Sequence, residues 1–166
     1  HAARIVGRLR DVYRPFRPED REPTDLNALL EQALEITRRK REEQGITVTV
    51  DAGVLPVIPL VADRIQQVIN SVVQNAVEAM PNGGQLVLRT RATTAPPGVR
   101  FDVMDTGKGI PAEGLPLIFD MFYTTKVDGL GLGMYISQGV VEEHGGHIEV
   151  QSEVGQGTSV TVWLPR

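Results

Sequence analysis

Four short motifs bring together side chains able to hold a charged small molecule. Asn75-Ala76 lies in a long helical segment, and Asp105-Thr-Gly-Lys-Gly109 follows a strand-like run. Gly129-Leu-Gly-Leu-Gly133 runs into another helical segment, and Gly155-Gln-Gly-Thr158 precedes the last strand-like run. An amide oxygen such as that of Asn75 is a hard ligand suited to Mg2+, which keeps several waters and takes further ligands from phosphates. A carboxylate accepts hydrogen bonds and donates none, so Asp105 suits the exocyclic amino group of adenine and rejects the carbonyl of guanine. Glycines at a helix start expose N–H groups to an anion, and the helix dipole adds partial positive charge. Together the four motifs predict a site for Mg-ATP.

Each motif alone has a plainer reading. Asn75 also suits a helix-edge amide bonded to a loop, Asp105 a ligand-free Asp-Thr-Gly turn, and Gly157-Thr158 an ordinary turn between strands. The segment 129–133 is not a P-loop, because the Lys-Ser/Thr ending is missing, and its spacing does not match the dinucleotide fingerprint. Lys126, preceded by Thr124 and Thr125, stands just before it and is placed either to meet the terminal phosphate or to be solvated. Phe119 and Phe122 sit in a segment with few other apolar anchors, as either the fasteners of a lid over the ligand or core residues. His144 and His147 lie three apart across a helix stop at Gly145-Gly146, without a thiol partner, which favours structural roles over a metal site.

These groups must be positioned by a small number of elements. Apolar residues at helical spacing predict helices over about 26–44, 62–80 and 132–144, the first capped by Thr24 and closed by Gly45. Alternating and β-branched runs predict strands over about 46–50, 85–92, 99–104, 147–152 and 158–164. Segment 51–59 reads as a loop, and a short helix is expected around 116–120. At about 100° per residue, Ser71, Asn75 and Glu78 fall on one flank of the second helix and Asn70 on the other. Hairpin-like joins at 93–98 and 153–157 imply a two-layer α/β sandwich, with a mixed, mostly antiparallel sheet and helices on one face.

The bulk composition agrees with one such domain. The 166 residues carry a net charge of −4 with mixed signs, which leaves no footprint for nucleic acid. The absence of cysteine removes disulfides and thiolate chemistry. No run of about 18 apolar residues is present, so this segment is expected to be cytoplasmic, though an intact protein that is membrane-anchored remains compatible. The start at His1 without Met points to a piece of something longer. Ile5, Leu9, Val12 and Phe16 repeat with a seam-like spacing, and Arg14-Pro-Phe-Arg-Pro18 breaks that helix. The expected organisation is therefore a helix end with linker over 1–23 and an ATP-binding domain over 24–166, which the resemblance below makes the catalytic domain.

The motifs, in this order, resemble the N, G1, F, G2 and G3 boxes of sensor histidine kinases, members of the GHKL superfamily. Gln67-Val68, Asn75 to Met80 and the short Thr124-Thr-Lys126 stretch are most similar to the nitrogen-regulatory branch. The resemblance implies that Asn75 holds Mg2+, that Asp105 reads adenine, and that Gly107, Gly109 and Ile110 shape the base pocket with Thr158. It extends the ATP-binding set to Phe122, Thr124, Thr125, Lys126, Gly129, Leu130, Gly131, Leu132 and Gly133, with Asn75 and Lys126 in catalytic roles. It also implies transfer of the γ-phosphoryl to a histidine on a dimerisation helix, a homodimeric intact protein and a response regulator downstream. Two features depart from the pattern. Ser71 stands where a second Asn is usual, and where the superfamily's ATPases carry a water-activating Glu. None of His1, His144 or His147 is followed by the acidic residue of a phosphoacceptor box. A protein serine kinase or ATPase of the same superfamily and a non-catalytic ATP-responsive module are the alternative readings.

Overall fold

The period-2 and period-3.6 segments fold into seven strands and three helices among the described residues. In chain order these are β1 (Glu22–Thr24), α1 (Leu26–Gln44), β2 (Ile46–Ala52), β3 (Ile58–Leu60), α2 (Ala62–Glu78), β4 (Gly84–Thr94), β5 (Pro97–Asp105), α3 (Gly133–Glu143), β6 (His147–Glu153) and β7 (Gly157–Pro165). The computed structural model describes residues 17–121, 123 and 132–166. The helical reading of 1–13 falls outside these residues, as do Phe122, Thr124, Thr125, Lys126, Gly129, Leu130 and Gly131.

One five-stranded sheet, ordered β2-β4-β5-β7-β6, forms the first layer. Only the β2–β4 pair is parallel; the other three pairs run antiparallel. Leu86 and Leu88, Val99, Phe101 and Val103, and Val160, Val162 and Leu164 alternate onto one face and are buried. The three helices cover that face. Ile65, Val68, Ile69, Val72, Val73, Ala76 and Val77 form the buried stripe of α2. At about 1.5–3 kcal/mol per fully buried Val or Ile, this stripe holds α2 in place, since its N-cap residue Val61 makes no side-chain capping bond. The observed architecture is the expected two-layer sandwich. Among the described residues no helix is long and apolar enough to cross a membrane.

Three local expectations are corrected. The N-cap of α1 is Asp25, whose carboxylate accepts from the Asn27 N–H at 3.0 Å; Thr24 ends β1 and donates its hydroxyl to the Glu22 carbonyl. Both residue types cap helices, and the extended residue that directly precedes Leu26 takes the role. The segment 51–59 is not all loop: Asp51 and Ala52 continue β2, and β3 pairs antiparallel with β1. Pro23 stands opposite Pro59 in that pair, and prolines that withhold ladder donors read as loop. The short helix near 116–120 is a 3-10 turn over Leu115–Leu117, about the length at which such turns commonly stop.

Candidate functional site

Asp105 ends β5, a strand flanked on both sides, with Leu86 of β4 and Thr158 of β7 directly opposite it. Its side chain is half-buried and Oδ1 accepts the Gly107 N–H at 2.8 Å. Burial pushes the carboxyl pKa up from its ordinary value, opposed by hydrogen bonds from the Gly107 and Thr158 backbone. Those donors orient a carboxylate that only accepts.

The glycines around Asp105 are dictated by backbone crowding. A Cβ on Gly107 would collide with the Ala79 carbonyl oxygen just after α2, and the Lys108 N–H donates to that same oxygen at 3.1 Å. Gly109 has φ +75°, and a Cβ there would strike the Glu153 carbonyl. Gly157, with φ +123°, lies against the Asp105 carbonyl. Lys108 in turn accepts the Gly155 N–H at 2.9 Å. The loop after Asp105 is thus clamped between the end of α2 and the β6–β7 turn, which explains why both hold glycines at left-handed or crowded positions.

Asn75 lies one helical turn before Ala79, whose N–H donates to the Asn75 carbonyl at 3.1 Å. The half-buried Asn75 side chain therefore belongs to the stretch of α2 on which the Asp105 loop rests. The two flanks of α2 are distinct. Asn70 accepts from Gln66 at 2.8 Å, and the same Gln66 nitrogen donates to the Leu29 carbonyl on α1 at 2.9 Å. Ser71 faces the other way, against Gly133 at the start of α3. Asn70 thus points away from the site. Leu132 buries its side chain in the core, and α3 begins without a side-chain cap.

Ile110 is held through its N–H, which donates to the Ser152 hydroxyl at 2.7 Å, and Thr158 Oγ1 lies 2.7 Å from the same oxygen. Phe119 packs against the core. His144 is buried, accepting the Val61 N–H on Nε2 at 3.1 Å and donating from Nδ1 to the Val140 carbonyl at 2.8 Å. His147 stacks on Trp163 with ring centroids 5.3 Å apart. The two histidines do not converge, and no group of three His, Cys, Asp or Glu that could hold a metal occurs among the described residues. A groove of about 470 Å³ lined by Arg100, His147 and Trp163 opens on the helix-free face of the sheet, away from Asp105.

Sequence reasoning missed two contributors, Ser152 and the Ala79 carbonyl. Ser152 sits at the inward phase of β6, in line with Ile148 and Val150, and that polar interruption is a signal. A main-chain carbonyl has none.

An acceptor-only side chain at a strand end, glycine walls and an amide-bearing helix edge define a nucleotide-binding domain of the GHKL class. Residues 60–166 match the histidine kinase-, DNA gyrase B-, and HSP90-like ATPase family, and the chain belongs to that family. The sensor histidine kinase ZraS of Escherichia coli K12 is 35% identical over 163 residues, covering 98% of this chain and 34% of ZraS. The sensor kinase CckA of Brucella abortus is 37% identical over 184 residues, covering 99% of this chain and 19% of CckA. The crystal structure of full-length ShkA in complex with AMPPNP superposes with a TM-score of 0.82 at 28% identity, over 98% of this chain and 36% of ShkA. The nucleotide-free catalytic domain of the histidine kinase ThkA gives 0.76 at 28% identity, over 87% of this chain and 95% of that domain. The chain is homologous to the ATP-binding catalytic domains of sensor histidine kinases, and it spans about a third of the length of ZraS.

Proposed function

We propose that this chain is the ATP-binding catalytic domain of a two-component sensor histidine kinase, which passes the γ-phosphoryl of ATP to a histidine on a dimerisation helix. The observation that carries the reading is Asp105, a half-buried carboxylate oriented by the Gly107 and Thr158 backbone at the end of an inner strand. It takes the adenine amino group, and Gly107, Gly109, Ile110 and Thr158 shape the space around the base. Gly129, Leu130, Gly131, Leu132 and Gly133 hold the phosphates, with Thr124, Thr125 and Lys126 at the terminal one and Phe122 in the covering segment.

The residues present suit magnesium: Asn75 offers a neutral hard oxygen from a half-buried helix edge, the kind of single ligand that complements phosphates and waters. Bound there, Mg2+ neutralises charge on the phosphates. Phosphoryl transfer needs mainly positioning and charge stabilisation. Ser71 is no base for activating water, which separates this site from a water-directed ATPase.

Gln67-Val68, Asn75 to Met80 and Thr124 to Lys126 support a place near the nitrogen-regulatory branch. Residues 1–23 are the end of a dimerisation helix with its linker, and 24–166 the catalytic domain; pairing of Glu22–Thr24 with Ile58–Leu60 ties the end of that linker to the domain. The intact protein acts as a cytoplasm-facing homodimer, and a response regulator aspartate receives the phosphoryl group.

Titration calorimetry with ATP, ADP and GTP, with and without Mg2+, tests the site. ATP and ADP should bind and GTP should not; equal affinity for GTP overturns the adenine assignment. Supplying a histidine-containing helix domain tests the chemistry: acid-labile phosphate on the acceptor is expected, and an acid-stable ester overturns histidine transfer.

A further inference from the structure

We infer that Ser152 is a positioning and specificity-determining residue, whose hydroxyl both anchors Ile110 and fixes Thr158 Oγ1 as a pure acceptor beside Asp105. The inference rests on the nucleotide reading above and names the feature of that site that discriminates among bases.

Ser152, Thr158 and Asp105 form one row across three strands. Ser152 of β6 stands directly opposite Thr158 of β7, and Thr158 stands directly opposite Asp105 of β5. Residues opposite each other on neighbouring strands share a sheet face, so all three project to the helix-covered side, at the edge where the inner apolar alternation ends. The row begins with a hydroxyl in a strand whose inward positions are otherwise Ile148 and Val150.

The Ser152 oxygen has three partners: the Ile110 N–H at 2.7 Å, the Gly157 carbonyl at 3.0 Å and Thr158 Oγ1 at 2.7 Å. A hydroxyl has one proton and two lone pairs. Ile110 N–H can only donate and occupies one lone pair. The Gly157 carbonyl can only accept and takes the proton. All three bonds form together only if Thr158 donates into the remaining lone pair. Its own proton is then committed, and any further partner of Thr158 Oγ1 meets lone pairs alone. With the Asp105 carboxylate it makes a pair of acceptors, matched to an amino group or to a water that donates, and mismatched to the carbonyl of guanine. A site built on acceptors rejects a wrongly polarised group because burying unpaired polar atoms is costly.

The test compares Ser152→Ala and Ser152→Thr in the full 166-residue chain, by calorimetric titration with ATP and by competition with GTP. Ser152→Ala frees the Thr158 hydroxyl to rotate and releases Ile110. It should weaken ATP by about tenfold and narrow the ATP-to-GTP affinity ratio, while Ser152→Thr, which keeps the hydroxyl, stays near wild type. Thr158→Val should narrow the same ratio, and the double variant Ser152→Ala/Thr158→Val should lose little more than either alone. An unchanged ratio in Ser152→Ala, or a Ser152→Thr variant as poor as alanine, overturns the inference while leaving ATP binding by the wild-type chain intact. Failure of the wild-type chain to bind ATP removes the nucleotide reading, and this inference with it. If Ser152→Ala does not fold, Ser152→Gly and Ser152→Cys, which also remove the hydroxyl, carry the same expectation, and an unchanged ratio in whichever of them folds overturns the inference.

Discussion

Ser71 and Gly133 meet so closely that a Cβ on Gly133 would stand 2.7 Å from the Ser71 hydroxyl oxygen. On the other side the Gly133 carbonyl accepts from Ser137 at 2.8 Å. A small side chain on α2 and none on α3 therefore let the two helices approach at the start of α3, which carries the last glycine of the proposed phosphate-binding motif. Gly133→Ala should gain helix propensity of about 1 kcal/mol and lose about as much to overpacking. The melting temperature should then barely move, while ATP affinity falls by several-fold as the start of α3 shifts. Ser71→Gly on that background should recover the affinity. Equal ATP affinity in wild type and Gly133→Ala would show that this contact does not position the motif.

Asp105 is held in the charged state at a cost. Its folded pKa is raised, chiefly by burial, so the stability it contributes is present at acid pH and is lost as pH rises through the folded value. Asp105→Asn keeps an acceptor for Gly107 and removes that penalty. The variant should melt higher than wild type at neutral pH, lose this advantage under acid conditions, and fail to bind ATP. A neutral-pH melting temperature below wild type would count against a burial penalty at this carboxylate.

His144 gives the opposite pH dependence. Its pKa is lowered by burial, against the pull of the Val140 carbonyl and aided by the cations Arg21 and Arg64. The unfolded chain takes up a proton near pH 6.5, about where free imidazole titrates, and the folded chain resists until lower pH. Stability should therefore fall as pH drops below about 6.5. Urea midpoints from pH 7.5 to 5 measure this. His144→Gln should flatten the trend, at a general loss from disturbing the bonds to Val61 and Val140; a wild-type midpoint independent of pH would contradict the buried neutral ring.

Gly157 carries both conformational and steric demands. Its φ of +123° is unfavourable for other residues, and a Cβ would collide with the Asp105 carbonyl. Gly157→Ala should destabilise the domain by about 1–3 kcal/mol and displace the β7 residue that faces Asp105. Denaturant titration and ATP binding should both register the change. A variant equal to wild type in both would mean that the turn relaxes freely.

Much of the frame is legible from residue types alone. The stripe of Val and Ile in α2 and the alternation of Val99, Phe101 and Val103 specify burial by period, because one face of each element must leave water. The opposed flanks of Asn70 and Ser71 followed from the same 100° step. The paired strands at Glu22–Thr24 and Ile58–Leu60 were not legible, since prolines in both partners imitate loop and three-residue strands lack a period.

Residue chemistry by itself determined that Asp105 can only accept, that glycines must stand where the chain turns through left-handed space, and that buried stripes build a sandwich. Tertiary structure alone decided that the Ala79 carbonyl holds the Asp105 loop, that Ser152 lies across from Thr158, and that His144 serves as a buried clamp between Val61 and Val140. The reason is physical: a main-chain carbonyl is the same atom in every residue, and one hydroxyl gains its role only when strands distant in sequence bring three partners to it.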